Sequence, residues 1–143
     1  MRVSTLLDQK GASVATIRSD ATVADVVAEL CRLRIGALVV SDDGVHIDGI
    51  VSERDVVRRL NDLQGRLVDE PVSVIMSASV QTCAPDDEVV SLMSVMTERR
   101  VRHVPVVRDG ALCGIVSIGD VVKSRIGELE KDRDELVDYI NAR

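Results

Sequence analysis

The sequence is nearly devoid of aromatic side chains, and this limits how the protein can bind a flat ligand. Tyr139 is the single aromatic residue among 143; phenylalanine and tryptophan are absent. Proteins that bind single-stranded nucleic acid usually stack the bases on aromatic rings. A planar ring held here must therefore contact aliphatic side chains and backbone. The formal net charge of −6 also argues against a nucleic-acid surface, which depends on neutralising phosphates.

Long apolar runs and paired cysteines are missing as well. The sequence contains no run of about 18 apolar residues, so it predicts no membrane span. The opening stretch, MRVSTLLDQKGAS, does not resemble a secretory signal. The cysteines are widely spaced without a CxxC pair, and we expect reduced packing residues, with Cys31 and Cys83 on core faces and Cys113 in a strand. A redox or metal role is the alternative. We expect a cytoplasmic protein.

No familiar catalytic motif is present. The sequence contains no HExxH, P-loop or GxGxxG pattern, and its two histidines, His46 and His103, have no cysteine or serine partner at a recognisable spacing. Ser52 and Ser117 lack a recognisable activating base. We therefore expect no enzymatic activity, no catalytic cofactor and no metal.

What the chain does contain is an internal repeat. GIVSERDVV at 49–57 and GIVSIGDVV at 114–122 lie 65 residues apart and are identical at seven of nine positions. A shift of 66 residues aligns 12–44 with 78–110, and one extra residue near His46 accounts for the change of register. Self-similarity of this kind indicates two copies of one supersecondary unit.

Each copy predicts the element order β-α-β-β-α. A short strand, 14–17 or 80–83, precedes a helix with one apolar stripe, formed by Val23, Val26, Val27 and Leu30 or by Val89, Leu92, Met93 and Met96. The helix starts are predicted at Thr22 with Asp25, and at Asp86 with Glu88. Asp-Gly pairs at 43–44 and 109–110 then predict hairpins whose return strands, 47–51 and 112–116, lead into Ser-x-x-Asp.

These patterns predict an α/β (α+β) fold with four segments. Residues 1–61 form the first copy with an N-terminal helix, and 72–127 form the second. The polar segment 62–71, which contains Gly65 and ends at Pro71, is predicted to be a linker. Residues 128–143 are predicted to extend the chain as a helix. Its thin apolar stripe would contact a neighbour or a second subunit; a solvated helix with a frayed end is the alternative.

The two Ser-x-x-Asp segments allow two interpretations. Ser52 with Asp55, and Ser117 with Asp120, have the spacing of a capping box, which needs no ligand. The same carboxylate could instead accept hydrogen bonds from the two hydroxyls of a ribose. The serine and the free N–H groups at the helix start would then favour a phosphate. Spacing alone leaves both interpretations open.

Taken together, these features resemble a tandem pair of cystathionine-β-synthase (CBS) motifs, the Bateman module, over residues 1 to about 127. The resemblance rests on IGALVV and VRHVPVV before the Asp-Gly turns and on the two nonapeptides. It implies two copies packed around a pseudo-twofold axis, commonly paired with a second chain into a homodimer. It also implies clefts for adenosine-containing ligands such as AMP, ADP, ATP, NAD or S-adenosylmethionine, and sensing rather than catalysis.

Carried over to this sequence, the resemblance implies a set of nucleotide-binding residues in each copy. In the second copy they are Thr82, Arg102, His103, Val104, Pro105, Ser117, Gly119 and Asp120; in the first they are Thr16, Ala37, Ser52, Arg54 and Asp55. The second copy is predicted to hold the better adenosine cleft. The first has Gly36 where the second has Arg102, and Gly119 would let a ligand approach the backbone closely.

Several of these assignments have an alternative. Arg54 could reach a phosphate or pair with a neighbouring acid, and His103 could donate to the ligand or only end a strand. Thr16 and Thr82 could recognise the adenine edge or simply favour a strand. The favoured function is an energy or redox sensor; the alternative is a ligand-free scaffold that docks a partner protein through its C-terminal helix. A nucleic-acid-linked regulator is disfavoured by the acidic charge.

Overall fold

Two small sheets, one from each copy of the repeat, form the framework of the computed structural model, which describes residues 1–143. The first half contains α1 (Val3–Lys10), β1 (Thr16–Ile17), α2 (Val23–Leu33), β2 (Ala37–Val40), β3 (Gly49–Ser52) and α3 (Glu53–Leu63). A 3₁₀ helix (Gln64–Asp69) leads to α4 (Val72–Ile75), α5 (Val89–Arg99), β4 (His103–Arg108), β5 (Ala111–Ser117) and α6 (Ile118–Asn141).

The predicted element order is confirmed, with shorter first strands than expected. β1 pairs parallel with β2, and β2 pairs antiparallel with β3. β4 and β5 form the equivalent hairpin, whose turn residues Asp109 and Gly110 both have positive φ, as a type I′ turn requires. The predicted strand 80–83 is reduced to a single bridge between Cys83 and Val106.

Three of the four principal helices begin with a capping box. Thr22 with Asp25, Ser52 with Asp55 and Ser117 with Asp120 each exchange side-chain and backbone hydrogen bonds. The start of α5 differs from the prediction, because its N-cap, Glu88, makes no capping bond. The carboxylate of Asp87 instead accepts a hydrogen bond from the Ala84 N–H at 2.8 Å, which stabilises the preceding turn.

Each copy completes its core with the short helix that precedes the other copy in the sequence. The first core combines α4 residues Val72 and Ile75 with residues of α2, β2, β3 and the 3₁₀ helix. The second core combines Val3, Leu6 and Leu7 of α1 with residues of α5, β4, β5 and α6. The order of the chain groups α1 with the first copy, whereas its buried side chains pack in the second.

The segment predicted to be a polar linker is helical and partly buried. Leu67, in the 3₁₀ helix, has a relative exposure of 1% and belongs to the first core. Glu70 and Ala21 anchor this region through backbone bonds, since Val23 N–H donates to the Glu70 carbonyl and Val72 N–H donates to the Ala21 carbonyl. The join between the copies is therefore a packed element.

The prediction that Cys31 lies on a core face is wrong, because Cys31 is exposed. On α2 the buried residues are Val23, Val26 and Leu30, and Cys31 follows Leu30 by about 100° around the helix axis. Val27, at the edge of the same stripe, is 39% exposed.

Cys83 and Cys113 are partly buried beside the second core. Burial, with the nearby Asp87 and Cys113, raises the pKa of the Cys83 thiol to about 12, as expected of a packing residue.

The closing helix of the second copy and the C-terminal extension form one continuous helix, α6, of 24 residues. Beyond Gly127 its apolar side chains are exposed to between 47% and 68%; they are Leu129, Leu136, Val137 and Ile140. None of the helices has both the length and the apolar composition needed to cross a membrane.

Candidate functional site

A cavity of about 270 Å³ lies at the start of α3, where four segments of the two copies meet. The first copy contributes the beginning of β2 and the first turns of α3. The second contributes residues 77–81 and the segment 100–103, which leads into β4. The cavity is therefore built between the copies, and its volume is close to the lower end of the range for small-molecule sites, which begins at about 300 Å³.

Short backbone contacts hold these segments together. Ile50 of β3 and Ser77 exchange two N–H···O bonds of 2.9 Å, which fix the segment 77–81 against the first sheet. Gly49 is required for this approach, because a Cβ there would lie 2.9 Å from the Ser77 carbonyl oxygen and 2.7 Å from Met76 Sδ. At the other wall, Glu53 N–H donates to the Gly36 carbonyl at 3.0 Å, which links the start of α3 to the start of β2.

Asp55 presents one carboxylate oxygen to the protein and leaves the other free. Its Oδ2 accepts from the Ser52 backbone N–H at 2.8 Å and from the Ser52 hydroxyl at 3.0 Å. Its Oδ1 has no hydrogen-bond partner within the chain. The two interpretations of Ser-x-x-Asp are thus compatible at this position, since the capping box uses Oδ2 and Oδ1 can accept from a hydroxyl.

Four arginines line the cavity: Arg54, Arg58, Arg100 and Arg102. The ion pairs of the molecule involve other residues, so all four remain free to bind an anion. The only carboxylates in the lining are Glu53 and Asp55. In a protein of net charge −6, this cleft is a local concentration of positive charge that attracts anions.

His103 lies at the wall between the copies, against Gly36. A methyl group at Gly36 would approach His103 Cε1 to 3.1 Å, so the glycine provides the space that the imidazole needs. Burial lowers the pKa of His103 below its usual value, against the opposing influence of Glu53 and Asp120; Arg102 and Lys10 lower it further. The imidazole is therefore neutral at pH 7 in the ligand-free protein.

The equivalent aspartate in the second copy has an additional partner, although its Oδ1, like that of Asp55, accepts no hydrogen bond. Asp120 Oδ2 accepts from the Ser117 N–H at 2.9 Å and from Lys10 Nζ at 2.7 Å. Lys10 Nζ also donates to the Ile115 carbonyl at 2.6 Å. Burial acts to raise the pKa of Asp120, but the hydrogen bonds from Lys10 and Ser117 outweigh it and hold that pKa below its usual range.

The structure distributes the expected site residues between the cavity and other places. Those that line it are Ala37, Ser52, Arg54, Asp55, Arg102 and His103. Those outside the lining are Thr16, Thr82, Val104, Pro105, Ser117, Gly119 and Asp120. Val104 has no exposed surface and Pro105 is also buried, so neither offers a free face to an adenine ring. Thr16 and Thr82 are exposed.

The lining also includes residues that the sequence patterns did not suggest, notably Arg58, Arg100, Ser79 and Gln81. Arg58 follows Arg54 by one helical turn, so its spacing was an available signal. Arg100 ends α5 in a left-handed conformation, with φ of 55°, which points the chain towards the cavity. Lys10 was missed because it lies outside both nonapeptides.

Comparisons with known proteins agree with this architecture. The family model described as "CBS domain" matches residues 11–62 and 72–127. The CBS domain-containing protein CBSX3, mitochondrial, of Arabidopsis thaliana is 37% identical over 127 residues. The chain spans 61% of that relative's length, and the match covers 85% of this chain.

Two solved structures are similar along most of the chain. A CBS-domain-containing protein of Agrobacterium tumefaciens is 42% identical, with a TM-score of 0.84, and the match covers 87% of this chain and 99% of that one. A CBS domain protein of Pyrobaculum aerophilum, complexed with AMP, is 31% identical with a TM-score of 0.74. The match covers 84% of this chain and 89% of the Pyrobaculum chain.

Proposed function

Because the chain belongs to the CBS-domain family, as a tandem pair of these domains, we propose that it is a regulatory module that binds an adenine nucleotide in the cavity at the start of α3. The observation that carries the proposal is the cavity itself. It places the free oxygen of a helix-start carboxylate, Asp55, and four unpaired arginines around one space between the two copies.

Each part of a nucleotide, the ribose, the phosphates and the adenine ring, has a complementary feature in this cavity. The Asp55 carboxylate would accept hydrogen bonds from the ribose hydroxyls through Oδ1. The arginines would hold the phosphates, for which their forked donors are well suited. The adenine ring would contact the aliphatic parts of the lining, such as Val80, Val101 and Ile50. The absence of aromatic rings is no obstacle, because the ring would be enclosed by aliphatic surface and backbone.

The ranking of the two clefts follows from their present partners. The sequence favoured the Asp120 cleft, whereas the free cavity lies at Asp55 and Asp120 is paired with Lys10. The AMP complex of the Pyrobaculum relative supports an adenosine ligand as a class. AMP, ADP, ATP and NAD(H) are all compatible with the arginine cluster, and the cluster favours ligands with more than one phosphate.

The proposal is tested by isothermal titration calorimetry with AMP, ATP and NADH. Asp55→Ala should weaken binding by about 1.5–3 kcal/mol, the range for a hydrogen bond to a charged group, which corresponds to roughly 10- to 150-fold. Asp25→Ala is the matched control, because Asp25 occupies the same capping position on α2 and is not part of the cavity lining. Both variants should lose similar thermal stability, and only Asp55→Ala should lose affinity.

Two results would contradict the proposal. The first is no binding heat from the unmodified protein with any of the three ligands at millimolar concentration. The second is an Asp55→Ala variant that binds as tightly as Asp25→Ala. The sensing role requires in addition that the ligand has different affinities for two conformations of the protein, because a ligand shifts an equilibrium only through that difference.

We also propose that two chains associate through the outer faces of α3 and α6. The equivalent residues Val57 and Val122 are 67% and 43% exposed, and Leu60 and Ile126 extend the same faces. Exposed apolar patches of this kind mark interaction surfaces. Analytical ultracentrifugation should find a dimer that Val57→Glu dissociates. A monomeric unmodified protein would contradict this part of the proposal.

The alternative is a scaffold that captures a partner protein, and the exposed apolar residues of α6 beyond Gly127 favour it. This stretch lies outside the residues matched by the family model. Deleting 128–143 should then abolish partner capture and leave nucleotide affinity unchanged. A cytoplasmic location and the absence of catalysis remain predictions, and the Arabidopsis relative is named as mitochondrial.

A further inference from the structure

The two clefts of the repeat differ at one charged side chain, that of Lys10. Lys10 is the last residue of α1, and its Nζ lies 2.7 Å from Asp120 Oδ2 and 2.6 Å from the Ile115 carbonyl oxygen. Only 27% of the Lys10 side chain and 25% of the Asp120 side chain remain exposed. The ammonium group of Lys10 thus lies beside the carboxylate of Asp120, at the start of α6.

The first copy has no such occupant. Met76 packs on Gly49, and Leu7 packs on the equivalent Gly114, so Met76 corresponds to Leu7. α1 continues to Lys10, whereas α4 ends at Ile75, so the first copy has no counterpart of the lysine. The Ile50 carbonyl, which corresponds to that of Ile115, accepts the backbone N–H of Ser77 at 2.9 Å. At this carbonyl one copy therefore uses a backbone N–H, and the other uses a cation that also binds the aspartate.

We propose that Lys10 makes the two clefts unequal: its ammonium group closes the Asp120 cleft, so each chain binds one nucleotide, at Asp55, rather than two. The choice of a nucleotide as the probe rests on the proposed function. The closure of the Asp120 cleft rests only on the contacts of Lys10. A ligand that took the place of the Lys10 ammonium group beside Asp120 would have to break a charge-assisted hydrogen bond, which is about twice as strong as a neutral one. It would also leave the Ile115 carbonyl without its donor.

The rest of the second cleft offers little to offset this loss. Where the first copy has Glu53 and Arg54 in the opening turn of its helix, the second has Ile118 and Gly119. Arg102, the basic residue that the second copy carries before β4, has its side chain in the lining of the first cleft instead. The phosphate-binding charge is therefore concentrated on the Asp55 side, and Lys10 neutralises the carboxylate on the other side.

The test is the number of AMP molecules bound per chain, measured by calorimetry on matched variants. The unmodified protein should bind one. Lys10→Met, which removes the charge and keeps an unbranched side chain, should bind two, with the new site the weaker. Lys10→Arg keeps the charge and should still bind one. Adding Asp120→Ala to Lys10→Met should return the number to one. Lys10→Gln, of similar length but uncharged, is a second opening variant should the methionine impair folding.

Each outcome separates this inference from the proposed function. Two sites in the unmodified protein, or one site in both Lys10→Met and Lys10→Gln, would overturn the role of Lys10 and leave binding at Asp55 intact. Binding by Lys10→Met alone, removed by Asp120→Ala, would support the role of Lys10 and overturn the Asp55 site. If no variant binds AMP, both proposals are wrong. Circular dichroism should show the same helix content for all variants.

Discussion

Asp55 and Asp120 have the same neighbours along the chain but different partners in the fold. Both accept from the backbone N–H of the serine three residues before them, and only Asp120 also binds a lysine. Their chemical difference therefore arises from a residue 110 positions away. For a repeat protein, the consequence is that identical motifs need not be identical sites.

His103 should make nucleotide binding depend on pH. In the free protein burial lowers the pKa of His103 from its usual value, with Glu53 and Asp120 opposing and Arg102 and Lys10 adding to the effect. A phosphate group in the cavity would raise that pKa, so the imidazole would take up a proton on binding. Affinity should therefore increase as the pH falls towards the pKa of the free imidazole, by up to about tenfold for each pH unit.

Calorimetry of AMP binding at several pH values checks this prediction. The phosphate of AMP titrates in the same interval, so the informative quantity is the difference between the unmodified protein and His103→Gln. The variant should retain binding, and its affinity should gain less than that of the unmodified protein as the pH falls. Identical pH profiles for the two proteins would show that His103 does not respond to the ligand.

At this scale the sequence predicted residue types better than residue positions. The sequence suggested Ser52, Arg54, Asp55 and Arg102, and these line the cavity, whereas Ser117 and Asp120 of the second Ser-x-x-Asp do not. Val104 and Pro105 were assigned to the adenine, yet they are buried in or beside the second core. The contact between Lys10 and Asp120 could not be predicted, because it depends on how α1 crosses to the other copy, which no local pattern encodes.

At the scale of elements, the join between the copies carries more of the stability than its composition suggests. LNDLQGRLVDEP is polar and contains glycine, and the sequence accordingly predicts a linker. In the fold, Leu67 is buried in the first core and Leu63 packs against it, while the adjacent Val68 is 43% exposed. Two leucines four residues apart are a short signal, and the glycine and charged residues between and after them gave the stretch the appearance of a loop.

Leu67→Ala should therefore be strongly destabilising. Removing a buried leucine side chain leaves a cavity and costs about 2–5 kcal/mol in the free energy of unfolding. Val68→Ala is the matched control, because it makes a similar change one residue away on an exposed side chain, and surface changes are usually within about 0.5 kcal/mol. Urea denaturation followed by circular dichroism measures both. Equal, small effects would mean that the join is not part of the core.

Helix boundaries were predicted well where a capping box was present and less well elsewhere. Thr22 with Asp25 gave the start of α2 correctly. The start of α5 was displaced, because Asp87 accepts from the preceding turn, and Asp86 and Glu88 pair with Arg2 and the N-terminal ammonium group. The predicted helical extension at 128–143 continues the closing helix of the second copy without a break. Gly127 is accommodated within the helix, and only a change in composition marks that position.

On the scale of the whole molecule, the exchange of α1 and α4 couples the two copies. The core of the second copy depends on Val3, Leu6 and Leu7, and that of the first depends on Val72 and Ile75. Leu7 also packs closely on β5, since a Cβ at Gly114 would lie 2.7 Å from Leu7 Cδ1. Neither copy can lose its borrowed helix without opening its own core.

Leu6→Ala should consequently destabilise both copies and not only the one whose core it enters. Leu6 is 5% exposed, and the expected cost is about 2–5 kcal/mol. Hydrogen exchange monitored by mass spectrometry should show faster exchange in β2 and β3 as well as in β4 and β5, because the copies unfold together. Thr5→Ala, an exposed neighbour, is the control. Acceleration confined to β4 and β5 would contradict the coupling.

The exchange of arms has a consequence for how such a chain could arise. A solitary copy, with its own preceding helix directed outwards, would leave its hydrophobic centre uncovered. Two separate copies could cover each other's cores by domain swapping, in which each copy provides its N-terminal helix to the other. Joining them end to end would make the swap intramolecular and allow each half to diverge, as the presence of a lysine beside only one of the two aspartates shows.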